Sequence, residues 1–255
     1  NCPLGFDLND YVVINAEYTS INEVNIRNAI VALIVNFIRT LPITNYRVTL
    51  LDYIHFSGDL IGSLSVLSQS KNGLVSTIPH DEGDIKKSIA LLVSYYKKVE
   101  AKLQNESVFE YNATHRPEER IPLRTVIIVK DESVFTEMPD SSLAYVLNNA
   151  RKFGLNIWQI RRTKECSKGK EKEKKAFSSD PHHISVICAA DGSFYVQHGK
   201  EWLPFKWLEA PNIIPDSFIN MLINMTAPVK RSNKYFERFP VHLPEKSIGK
   251  RRPIE

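Results

Sequence analysis

The chain of 255 residues is short of glycine and lysine where it begins: no glycine lies between Gly5 and Gly58, and no lysine precedes Lys71. It has only three cysteines, Cys2, Cys166 and Cys188, without C-x-x-C spacing. That argues against a disulfide framework or a structural zinc and makes a reducing, cytoplasmic setting the expectation. The adjacent His182 and His183 do not change this, because strand neighbours point to opposite faces and cannot easily share one ion. No uncharged apolar run approaches the roughly 18 residues of a membrane span. AIVALIVNFI (29–38) is too short and reads as a buried helix. The opening NCPLGFDLND has neither the basic start nor the apolar core of a signal peptide, and without an initiator Met it reads as a fragment of something longer or the product of tag removal. Patterns of the G-x-S-x-G, H-E-x-x-H and G-x-G-x-x-G kinds are missing, so the corresponding hydrolase, zinc-protease and dinucleotide chemistries have no support.

What is present is an ordinary globular composition, 43% apolar and 24% charged, long enough to bury a full core. The net charge of +4 is unevenly spread. KECSKGKEKEKK (164–175) has six lysines against three glutamates, and the stretch from Pro228 to Glu255 has eight basic residues against three acids. The first reads as a solvated loop whose interspersed acids weaken its attraction for phosphates. The second, with prolines at 228, 240, 244 and 253, reads as an extended basic linker (228–255) after a domain of residues 1–227.

Strand and helix patterns alternate along that domain. YVVIN (11–15), RVTLLD (47–52), TVIIV (125–129) and LNIWQI (155–160) are apolar and β-branched enough for buried strands. Helices are expected from Val24 to Arg39, ending before Pro42, and from Asp84 to about Gln104, where Ile85, Ile89, Leu92, Val93, Tyr96 and Val99 recur at helical spacing. The acids Asp81, Glu82 and Asp84 sit at that helix start, where the dipole favours them. Ser142 to Phe153 reads as a further helix stopped by Gly154. ISVICAA and SFYVQHG, joined at Asp191–Gly192, read as a β-hairpin. EWLPFKWLEAP reads as an amphipathic segment over the sheet edge, and IIPDSFINMLINM (213–225) as a last helix started around Pro215–Asp216. Trp158, Trp202 and Trp207 are better explained by packing than as a base-stacking platform. The expected fold class is α/β: a mostly parallel, RecA-like sheet flanked by helices, with a hairpin in its C-terminal part.

In such a sheet, ligands sit at the carboxyl ends of strands. Three places qualify: the segment after YVVIN, the end of RVTLLD, and the acids Asp131 and Glu132 that close TVIIVKDE. The order of PLGFDLNDYVVINA, RNAIVALIVNFI, RVTLLD, PLRTVIIVKDES and NARKFGLNIWQI resembles the motor domain of the FtsK/SpoIIIE group of DNA translocases, which includes the ATPases of type VII secretion systems. The resemblance covers roughly residues 3–240 and rests on order and spacing more than on any single motif. It implies a P-loop-type fold, ATP hydrolysis with magnesium as the family's activity, and Asp131 and Glu132 as the remnant of its metal-binding and water-activating acids. It also places Arg151 where an arginine could complete a neighbouring subunit's site, and Arg162 where the family has a glutamine sensing the γ-phosphate.

The departures from that pattern decide the functional expectation. A phosphate loop needs glycines to fold the backbone round the anion, a lysine for the β- and γ-phosphates, and a Ser or Thr for magnesium. Here the segment is Ala16, Glu17, Tyr18, Thr19, Ser20, Ile21 and Asn22, with Glu23 beyond, and it holds neither glycine nor lysine. Glu17 and Glu23 would repel a triphosphate at the helix start. DYIH (52–55) replaces the family's Asp-then-Lys, and Lys130 sits where the family is apolar, placed to neutralise Asp131. The expectation is a degenerate, non-hydrolysing domain of a larger translocase, without ATP or magnesium as cofactor. Its expected partners are other ATPase domains and DNA, with no membrane insertion by this segment. The alternatives are an active ATPase with an atypical site, or a recognition domain taking a secreted protein in an apolar pocket closed by Tyr18 and Ile21.

Overall fold

The structure is a computed structural model, which describes residues 10–17, 19–54, 59–69, 73–131, 141–164, 182–199, 201–206 and 216–224. Glu132, Tyr18, Trp207, most of the lysine-rich run and the basic tail lie outside the described residues. The strands are β1 (Tyr11–Glu17), β2 (Tyr46–Asp52), β3 (Leu123–Asp131), β4 (Leu155–Thr163), β5 (His183–Cys188), β6 (Phe194–His198) and β7 (Glu201–Phe205). The helices are α1 (Ser20–Thr40), α2 (Glu82–Leu103), α3 (Val108–Thr114), α4 (Ser141–Asn148) and α5 (Asp216–Asn224), with 3-10 turns at Ile43–Asn45 and Asp59–Gln69.

All seven strands form one sheet in the order β2-β3-β4-β1-β5-β6-β7. The five from β2 to β5 in that order pair in parallel, and β5-β6-β7 continue as an antiparallel meander. The expected α/β class, mostly parallel sheet and C-terminal hairpin are all present. Strand alternation sends each strand's side chains to two separate cores. On one face Val12, Ile14, Val48, Leu50, Ile127, Val129, Trp158 and Ile160 pack with α1 and α5. On the other, Leu51, Val126, Ile128, Leu155 and Ile157 pack under α2, α3 and α4. Because both faces are covered, the parallel strands are nearly continuous apolar runs.

Several local features differ from expectation. Helix α1 begins four residues earlier than the apolar pattern suggests, because Thr19 caps it by accepting from the Asn22 N–H. At 21 residues it is long and apolar enough to cross a membrane by length and composition, yet Ile26, Ile30, Ile34 and Ile38 are buried against the sheet, which makes it a core helix here. Helix α4 stops at Asn148, short of the expected Phe153, and the chain turns through Gly154 at φ +63°. EWLPF is not a packing segment: it is edge strand β7, where Pro204 is tolerated because one edge needs no donors. Helix α3 has a legible start, a capping box in which Ser107 and Glu110 bond reciprocally.

Candidate functional site

The carboxyl ends of β1, β3 and β4 open into a cleft of about 290 Å³. Ala16 and Glu17 of β1, Val129 of β3, and Ile160 and Arg162 of β4 line it, with Ser20, Asn22, Glu23 and Arg27 of α1 and Leu60 opposite. This is the crevice where an open parallel sheet accepts ligands, since the chain leaves β1 for a strand three places away. The cleft therefore lies at the carboxyl end of an open, mostly parallel sheet, and its side chains determine what could enter.

The connection from β1 to α1 is two residues, Tyr18 and Thr19. Of the seven residues expected to form a loop, Ala16 and Glu17 belong to the strand, and Ser20, Ile21 and Asn22 to the helix. A G-x-x-x-x-G-K-type cradle needs most of its length between those two elements, so that successive N–H groups can turn toward the anion. The start of α1 is also bound to protein. Asn22, buried, donates from Nδ2 to the carbonyls of Glu17 (2.9 Å) and Cys188 (3.3 Å). Asn25 donates to the Gly192 carbonyl at 3.1 Å. The hairpin turn thus lies directly on the first turn of α1. A Cβ at Gly192 would come within 2.6 Å of Asn25 and 2.8 Å of Ile21.

Arg162 is the central charge of the cleft. Only 10% of its side chain is exposed, and its guanidinium lies 3.2 Å from Glu23 Oε1 and 4.0 Å from Asp131 Oδ1. Asp131 is its register partner on the neighbouring strand. Sequence order placed Arg162 at this end of β4, and it is there. Asp131 stands at the end of β3 with its side chain 55% exposed, so the Arg162 pairing is worth little in stability but still sets the local charge. Lys130 does not take the expected part. Strand alternation directs it to the other face, where its ammonium sits 4.1 Å over the Tyr53 ring, and burial lowers its pKa. The cation beside Asp131 comes from β4. At the end of β2, Asp52 is buried and accepts from the Ile54 N–H, which closes a turn.

Other candidates are dispersed. Arg151 is exposed in the turn preceding β4, at the amino end of the sheet and so away from Asp131 and the cleft. Ile21 is 54% exposed rather than closing a pocket. Glu17, Glu23, Arg27 and Arg162 place charges of both signs on the walls of the cleft, beside the apolar Val129, Ile160 and Leu60. His182 faces Asp10 at 3.3 Å while the His183 ring stacks on Tyr11. Trp158 is fully buried and donates to Asn156, so it belongs to the core. Among the described residues no cluster of three or more His, Cys, Asp or Glu could hold a metal ion. The sequence pattern marks Asn22 as part of the segment in place of a phosphate loop but gives neither its role nor that of Asn25 in holding the hairpin; the signal is two side-chain donors in the polar first turns of the helix.

No family model and no curated sequence matches the chain. Solved structures do share its fold. The cytoplasmic domain of the type VII secretion ATPase EccC from Thermomonospora curvata superimposes with a TM-score of 0.56 and 12% identity, over 85% of this chain and 28% of that one. EssC (ATPases 2 and 3) from Geobacillus thermodenitrificans does so with a TM-score of 0.52 and 12% identity, over 91% of this chain and 45% of that one. The seven-stranded, mostly parallel sheet with flanking helices is thus similar to the ATPase domains of secretion ATPases, and the chain spans less than half the length of either.

Proposed function

We propose that the chain is a degenerate, non-hydrolysing ATPase-fold domain of a larger translocase, of the type VII secretion kind, and that it serves as a structural, regulatory or docking module beside active domains. The observation that carries this reading is the closed start of α1: a two-residue connection, with Asn22 and Asn25 bonded to the β5–β6 hairpin where a phosphate loop would need room. Phosphoryl transfer depends almost wholly on positioning and charge neutralisation. Neither is provided by a cleft with Glu17 and Glu23 on its walls and its arginine already facing Glu23 and Asp131. Asp131 and Glu132 are on this reading a trace of ancestry, and the segment 228–255 is the linker to the next domain.

The two structural relatives carry "secretion ATPase" and "ATPases 2 and 3" in their descriptions, which favours other ATPase domains as partners and the cytoplasmic portion of a larger protein as the setting. A secreted protein as cargo follows the same likeness, while the basic tail keeps DNA as the alternative. The test is Asp131→Asn in the full-length protein. ATP turnover should stay within twofold of wild type while the partner domains remain assembled. A loss of tenfold or more, with assembly intact, would show a working site.

A further inference from the structure

Helix α2 packs one side on the sheet and presents the other to solvent. Ile85, Ile89, Leu92, Tyr96, Val99 and Leu103 are buried on the inner side. At 3.6 residues per turn, the exposed positions from Lys86 to Lys102 span about 160° of the helix circumference. Five lysines stand on that arc, Lys86, Lys87, Lys97, Lys98 and Lys102, all of them exposed. No acid shares the arc between them. The acids of the helix are Glu82 and Asp84 in its first turn and Glu100 on its flank, where Tyr145 and Lys152 donate to the carboxylate. Asp84 engages Lys87 at 3.0 Å. Among the described residues the other four lysines make no ion pair. A helix face kept soluble by charge alone interleaves both signs, and this one does not. Between the two groups of lysines the surface is uncharged. Ala90 and Ser94 are small and exposed there, and Leu91, 72% exposed, is the most exposed large apolar side chain among the described residues.

We propose that the outer face of α2 docks on an anionic lipid surface, with its lysines at the headgroups and Leu91 reaching the boundary of the acyl chains. Three features select this partner. The lysines are spread along roughly 24 Å of one helix, which suits an extended flat surface and not a single bound ion. Ammonium groups are flexible point charges, without the rigid fork that reads one fixed phosphate or carboxylate geometry, so they match a fluid layer of headgroups. The leucine at the centre gains by leaving water at the acyl boundary, whereas the phosphate backbone of a nucleic acid offers it nothing. No residue of α2 lines the cleft, which lies on the α1 side of the sheet, so this inference stands apart from the function proposed for the cleft.

The test is flotation of the full chain with vesicles of phosphatidylcholine alone and of phosphatidylcholine mixed with phosphatidylserine. Binding to the mixed vesicles that weakens as salt rises, and none to the neutral ones, is expected. The basic stretches 164–175 and 228–255 attract anionic lipid as well, so substitutions within α2 carry the decision. Lys97→Ala combined with Lys98→Ala should weaken binding about 25-fold, at about fivefold per lysine. Leu91→Ala should weaken it about fivefold or more, and Leu91→Trp should bind at least as tightly as wild type, because an aromatic side chain favours the interface. All these positions are exposed on a helix, so melting points equal to wild type verify that each variant is folded. Vesicle binding that survives the double lysine substitution would belong to the other basic stretches. Vesicle binding indifferent to Leu91 would mean attraction to any polyanion, duplex DNA included. Either result, or no flotation with the mixed vesicles, overturns the proposal.

Discussion

Asn22→Ala is the substitution that most directly probes how the start of α1 is held. Asn22 is buried and its amide ties three elements together: it sits in the first turn of α1 and donates to the carbonyl of Glu17 on β1 and of Cys188 on β5. Two neutral hydrogen bonds contribute about 1 kcal/mol each, and the carbonyls left behind lose a donor in a region water reaches poorly. One term works the other way. Asn22 Oδ1 is itself buried without a partner, so deleting it removes a desolvation cost. The balance is a loss of about 2 kcal/mol. For a domain of this size that lowers Tm by roughly 4–8 °C. Urea denaturation gives the free energy and calorimetry the Tm. Asn22→Asp is the sharper companion: it places an acceptor against two carbonyls and should cost more than Ala. A loss below about 0.5 kcal/mol for Asn22→Ala, the size of an ordinary surface change, would refute the view that this residue clamps the helix start to the hairpin.

Further outcomes follow from the same geometry. Gly192→Ala should destabilise by about 2–4 kcal/mol, since the residue sits at φ +83° and its new Cβ would meet Asn25 and Ile21 inside 3.0 Å; urea midpoints close to wild type would mean the hairpin is not seated on α1. Burial raises the pKa values of Tyr46 and Tyr96 above those of the unfolded chain. Both are protonated in either state below about pH 10, and above it the unfolded chain ionises first, so stability is lost at up to about 1.4 kcal/mol per pH unit for each. Urea midpoints from pH 9 to 11 should therefore fall more steeply for wild type than for Tyr46→Phe, which itself costs about 1 kcal/mol by losing the bond to Thr125; parallel slopes would contradict this.

Much of the fold could be read from the chain because the parallel strands advertise themselves. TVIIV is apolar on four consecutive residues and LNIWQI on the adjacent pair Ile157 and Trp158, which a strand covered on both faces requires, and both are interior strands of the sheet. The edge could not be read in the same way. EWLPF carries a proline and a polar pattern, which fits an edge strand and a loop equally well, and only its pairing with β6 decides between them. The apolar pattern of α1 starts four residues after the helix itself because its first turn is polar: Ser20, Asn22 and Glu23 have the composition of a loop, and the Thr19 cap makes them helical. For the same reason the shortness of the β1–α1 connection is not legible in the sequence. Lys130 shows the complementary limit. Sequence adjacency puts it beside Asp131, but alternation along β3 sends the two side chains to opposite faces, and Arg162, distant in sequence, arrives beside Asp131 through strand register.

The central claim is that the cleft above β1, β3 and β4 no longer holds a nucleoside triphosphate. Isothermal titration of the chain with Mg-ATP tests it most directly. The account predicts no saturable heat up to about 1 mM ATP, equivalent to less than about 4 kcal/mol of binding free energy. Micromolar binding that disappears in Asp131→Ala would contradict it and restore Asp131 as a working ligand.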